Sequence, residues 1–110
     1  MEYVGNPPGF MILPARAITP LAFRNRFTLT EKVTIEMAGI DVPTASAAAR
    51  QQAAALRISQ ADILVASYID LDRADTRAGV VMLESLGVLA AGRALVILDT
   101  PVQDVERPRG

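Results

Sequence analysis

The chain has 110 residues, a formal charge of −1, and neither histidine nor cysteine. Those absences remove the side chains most used for proton transfer near neutral pH, for thiol chemistry and for transition-metal binding. With charges so nearly balanced there is no basic stripe of the kind nucleic-acid-binding modules carry, and the composition suits a part that fits against other proteins.

At 11.7 kDa the chain holds one domain. A folded body of roughly 80 residues sits near the lower limit for a self-sufficient core. Much of its apolar content is alanine (Ala47, Ala48, Ala49, Ala53, Ala54 and Ala55). Alanine favours helix but buries little area, at about 25 cal/mol per Å². Modest stability alone is therefore expected, with a partner surface supplying the rest. No apolar run reaches the length of a membrane span, and Met1–Gly5 lacks the basic-then-apolar order of a secretory signal. The absence of cysteine is compatible with a reducing compartment.

Residues 1–18 read as an extended arm. Gly5, Pro7, Pro8, Gly9 and Pro14 interrupt helix and strand alike. Tyr3, Val4, Phe10, Met11, Ile12 and Leu13 make it apolar rather than a polar tail. Such a segment can lie in a groove of another chain at reduced entropic cost, and Tyr3, Pro7, Pro8 and Phe10 are its expected partner-binding anchors. The alternatives are that it folds back on its own body, or that translation begins at Met11.

Residues 19–99 read as a helical domain. Thr19-Pro20 opens a first helix, with threonine as cap and proline at the first position. Leu21, Phe23 and Phe27 should be buried, with Arg24 and Arg26 outward. Thr28-Leu29-Thr30-Glu31 is a capping box for a second helix, whose apolar stripe is Val33, Met37 and Ile40. Lys32 and Glu36 are spaced to pair, and Gly39, Asp41 and Pro43 end the helix. A third helix runs from near Thr44 to about Tyr68, with a seam of Ala47, Ala54, Ile58, Ala61, Val65 and Tyr68. Leu56 and Ile63 widen that face, and Ile63–Ala66 is the one stretch that also suits a short strand. A fourth helix turns Val80, Leu83 and Leu86 inward and stops at a left-handed Gly87. A fifth spans Ala90 to Leu98, with Ala94, Ile97 and Leu98 inside. Thr100-Pro101 stops it, and residues 100–110 form a short, flexible polar tail. The expected fold is all-α, a bundle of about five helices.

Few residues suggest chemistry. Asp70, Asp72 and Asp75 cluster, but a calcium loop from Asp70 would need an oxygen ligand at Ala74, glycine at Asp75 and glutamate at Val81. Helix capping is the better account of the three. Val80–Leu98 has the outline of a helix-turn-helix, yet its second helix offers only Arg93 to a groove. Ser46, Ser59, Ser67 and Ser85 have no histidine to activate them, and Lys32 lacks a nucleophile partner. No phosphate loop occurs. The expectation is a non-enzymatic chain with no cofactor, no metal, no nucleic acid and no membrane among its ligands.

The stretch from Ile18-Thr19-Pro20-Leu21-Ala22-Phe23-Arg24-Asn25-Arg26-Phe27-Thr28, through Tyr68-Ile69-Asp70-Leu71-Asp72, to Gly79–Glu84, Leu86–Leu89, Arg93-Ala94 and Ile97-Leu98 resembles a group of small helical proteins. These are encoded in tailed bacteriophages and prophages near tail-fibre genes. The shared features are caps, turn glycines and core leucines, so no catalytic residue carries over. The arm from Met1 to Arg16 is longer than the group leads one to expect. The resemblance implies a virion structural protein, a small tail or collar adaptor joining tail components to fibres. It would be present in several copies of a symmetric assembly and in the host cytoplasm during assembly. Two alternatives stand beside it. One is an assembly factor or fibre chaperone absent from the mature virion; the other is a small DNA-binding regulator built on the Val80–Leu98 hairpin.

Overall fold

The computed structural model describes residues 12–108. Five helices account for most of them: α1 (Pro20–Asn25), α2 (Leu29–Ala38), α3 (Ala47–Val65), α4 (Ala74–Ser85) and α5 (Arg93–Asp99). The fold is predominantly helical, as the alanine content and the caps require, but it is not purely so. Ala17–Ile18 (β1) and Ile69–Asp70 (β2) form a two-stranded antiparallel ribbon, with Ala17 opposite Asp70 and Ile18 opposite Ile69. The ribbon moves two residues of the expected arm into the body. It also explains why α3 stops at Val65 rather than Tyr68: Ile69 is needed as a strand partner, and Ala66 is already extended.

The caps are where the sequence places them. The Thr19 hydroxyl accepts from the Ala22 N–H, and Thr28 with Glu31 forms the reciprocal capping box. Ser46 caps α3 through the Ala49 N–H. At the end of α4, Gly87 adopts φ 79°. The Val88 N–H then reaches the Leu83 carbonyl and the Gly87 N–H the Glu84 carbonyl, the bond pattern of a Schellman termination. Val88 packs against the core beside it. α5 begins three residues later than expected because Gly92 takes φ 85° immediately before it. No side chain of its own caps α5; the Glu84 carboxylate reaches across from α4 to accept from the Ala94 N–H at 2.9 Å.

The core is centred on the ribbon and α5. Ile18, Leu71, Ile97 and Leu98 are its most enclosed large side chains. Phe23 and Phe27 stack edge to face at 5.3 Å between ring centres. Val80 and Leu83 of α4 and Ala94 of α5 close the same cluster, as their helical periodicity leads one to expect. Leu86 does not: it lies past the end of α4 and is exposed.

Expectations about three faces are overturned in whole or in part. Leu21 points to solvent and the Arg26 side chain is buried, only 7% exposed. On α2 the stripe Val33, Met37 and Ile40 faces outward, while Ile35 is the buried residue. Its inner face runs Glu31, Ile35, Ala38, and the Glu31 carboxylate on that face is taken up by Arg93 at 2.6 and 2.9 Å. An apolar count misses a face whose first member is an ion-paired glutamate. On α3 the expectation holds in part: Leu56 is buried with Ala53 and Ile63 packs against the core, but Ile58 and Val65 of the expected seam are exposed.

The segment after α5 is not a detached tail. Asp104–Glu106 forms a 3-10 turn, and the Glu106 carbonyl accepts from the Thr19 N–H at 2.9 Å. Its carboxylate binds Arg26 through two bonds of 2.8 Å. Arg107 donates to the Ala15 carbonyl at 3.0 Å. The reason is local: α5 ends with orphan carbonyls, and Arg26, bonded to those of Ile97 and Thr100, needs a counter-charge that Glu106 supplies.

Candidate interaction surface

The expected arm anchors Tyr3, Pro7, Pro8 and Phe10 lie outside the described residues. What the described residues contribute is the surface such a segment, or any partner, would meet. It divides into charged groups that hold the fold and apolar groups that hold nothing.

Seven ion pairs join described residues: Arg16–Asp72, Arg26–Glu106, Arg50–Asp41, Arg73–Asp75, Arg77–Asp99, Arg93–Glu31 and Arg107–Asp104. Most also bind backbone. Arg16 donates to the Leu98 and Thr100 carbonyls, and Arg77 to that of Leu71. Arg57, in none of the pairs, donates to the Gly39 carbonyl at 2.7 Å and ties the end of α2 to α3. Cations at a helix C-terminus complement its dipole and its unpaired carbonyls. The Arg93 bond lowers the Glu31 pKa, and the Arg26 bond lowers that of Glu106. Arg50 does the same for the exposed Asp41.

The described arginines other than Arg24 are thus committed to intramolecular work. Arg93, the one basic side chain on the second helix of the Val80–Leu98 hairpin, is bound to Glu31 and the Arg26 carbonyl. The acidic triad is dispersed in the same way. Asp70 accepts from the Asp72 N–H in a turn, Asp72 pairs with Arg16, and Asp75 pairs with Arg73. None of the three caps α4 through a side-chain bond, and the cap residue is Arg73. No metal-competent acidic group forms among the described residues. Lys32 bonds Asn25 rather than Glu36.

The apolar groups are placed differently. Val33, Met37, Ile40 and Val42 form an exposed row along α2 and the loop after it, and Ile58, Leu64 and Val65 are exposed along α3. Between α3 and α4 lies an open groove of about 740 Å³. Buried Phe23, Phe27, Ile35, Val80 and Leu83 underlie it, with Leu56, Ser59 and Ile63 on the α3 side and Thr76, Met82 and Leu86 on the α4 side. Arg24, Lys32, Glu36, Asp62, Asp70 and Arg73 set charges of both signs around it. A smaller hollow of about 310 Å³ lies among Met37, Ile40, Val42, Ala49, Arg50 and Leu86.

Single-element periodicity could not find this groove, because it depends on how far α3 stands from α4. One signal was available. A 19-residue helix with only alanine and two or three large apolar side chains per face cannot bury any face deeply. An open flank is the natural result. No helix among the described residues is long and apolar enough to cross a membrane. Neither a family model, nor a curated protein, nor a solved structure matches this chain.

Proposed function

We propose that this chain is a non-enzymatic structural protein that acts through its surface. Its setting is the tail region of a tailed phage particle, where it joins tail or collar components to fibres. The setting comes from the resemblance of the Ile18–Leu98 stretch to small phage tail-region proteins. Physical support comes from one observation: most of the described ionisable side chains are spent on internal staples, while Val33, Met37, Ile58 and Val65 remain on the outside. A protein free of partners gains nothing from displaying such rows, whereas contiguous exposed apolar surface is characteristic of protein–protein contact. A small adaptor repeated around a symmetric assembly would cover it with neighbours and sum many modest interfaces.

Mass spectrometry of purified particles tests this reading. The chain should be found in them at a fixed ratio to tail proteins. Its absence from finished particles, with presence in lysates, would transfer the role to an assembly factor or fibre chaperone. Deleting residues 1–10 should leave a helical body by circular dichroism yet abolish incorporation. Normal incorporation of the shortened chain would remove the arm from the mechanism.

A further inference from the structure

The groove between α3 and α4 is apolar beneath and open above, and the chain carries an apolar segment of suitable length outside the described residues. We propose that residues 1–11 of a second copy of this chain occupy the groove, so that copies are linked by exchanged arms. This deepens the adaptor reading by naming the receptor surface for the arm, and it rests on that reading for its purpose.

Length and chemistry are compatible. Eleven extended residues reach roughly 36 Å, more than enough to run along the α3 wall of the groove, which from Gln52 to Ile63 spans about 18 Å. The segment brings Tyr3, Val4, Phe10 and Met11 to an apolar floor, with Glu2 as its one acidic side chain against a margin of both signs. Pro7-Pro8 favours an extended backbone that needs no ladder of hydrogen bonds. That suits walls made of helices.

The point of departure favours a neighbour's groove over the chain's own. Ile69 and Asp70 of β2 line the groove, but among the described residues none of β1 or of 12–16 before it does. β1 lies beyond β2 and is followed by the Glu106 turn, which meets Thr19. The stem is fastened on that far side: Arg16 to Asp72 and the α5 carbonyls, and Ala15 to Arg107. Ile12, the first described residue, is exposed. The last described residues of the stem are thus held across the ribbon from the groove, which favours a neighbour's groove as the receptor.

The absence of cysteine makes a clean test possible. Full-length chains carrying Gly9→Cys and Ser59→Cys are mixed in equal amounts and oxidised. Gly9→Cys with Gln103→Cys, a position off the groove, serves as the control. The expected result is a 9–59 interchain disulfide and little 9–103 product. Sedimentation of the unmodified chain should show association that deleting residues 1–10 abolishes and Phe10→Ala weakens roughly tenfold. Three results would overturn the proposal: no 9–59 product, equal 9–103 product, or a Gly9→Cys/Ser59→Cys chain that closes only within itself. Particles lacking the chain would defeat the adaptor reading and leave the crosslink standing. A chain found in particles but uncrosslinked would do the reverse.

Discussion

Removing the Arg26 side chain would strand the Ile97 carbonyl and Glu106 Oε2, and would leave the Thr100 carbonyl to Arg16 and Glu106 Oε1 to the Gln103 N–H. Because the pair is largely buried, with side chains 7% and 16% exposed, Arg26→Ala should cost about 3 kcal/mol, read as a lowered urea midpoint. Arg26→Lys should recover little of it, since one ammonium cannot bind a carboxylate through two parallel bonds while reaching two carbonyls. The same contact sets an acid limit. Arg26 holds the Glu106 carboxyl below its ordinary value of 4.5, and Arg93 does so for Glu31. As pH falls the unfolded chain takes up those protons first, so stability present above about pH 4.5 is lost through the lower folded values. The urea midpoint should stay level down to about pH 5 and decline below it. Glu106→Gln should flatten that decline from an already lowered start; an unchanged slope would show that Glu106 does not titrate as described.

Gly79 lies within α4 and Gly87 just after it, and the two should respond oppositely to alanine. Gly87 sits at φ 79°, where a Cβ is strained, so Gly87→Ala should destabilise by about 1 kcal/mol. Gly79 lies within α4 with open space around it, and Gly79→Ala should stabilise by up to about 1 kcal/mol. Thermal melts of the two single variants, moving in opposite directions, are the check. Local features of this kind were legible in the sequence. The Thr19 and Thr28 caps, the Gly87 stop and the inward Val80, Leu83, Ala94, Ile97 and Leu98 follow from hydrogen-bond and steric rules acting over a few residues. Which way α2 and α3 face was not legible. On α2 the inward side is marked by Glu31, whose partner Arg93 is 62 positions away, and on α3 alanine makes every side acceptable. The ribbon was hidden for a related reason: two residues per strand leave no alternation to detect, and Ile18 and Ile69 meet only through the tertiary fold. The groove inherits the α3 blind spot, since α3 is one of its two walls.

The body is held as a circuit rather than as a stack. α2 is joined to α5 through Glu31–Arg93, α1 to the last segment through Arg26–Glu106, and β1 to α5 through Arg16. Cutting the circuit should cost more than any one bond in it. Deleting residues 101–110 removes the Glu106 carboxylate, the carbonyl that receives the Thr19 N–H and the Arg107 bond to Ala15 together. The shortened chain should melt lower than Arg26→Ala, whereas deletion of residues 1–10 should leave the melting point of the monomer nearly unchanged. Differential scanning calorimetry on the pair makes the comparison direct. The bond between Arg107 and Ala15 also has a practical side. With both described ends at one corner, a short linker from Pro108 to Ile12 would close the polypeptide into a loop. Fresh termini opened between Val42 and Ala45 would then give a circular permutant with the same circular dichroism. In such a molecule residues 1–11 are excised while every staple survives, leaving a receptor that could be titrated with a free peptide of that segment.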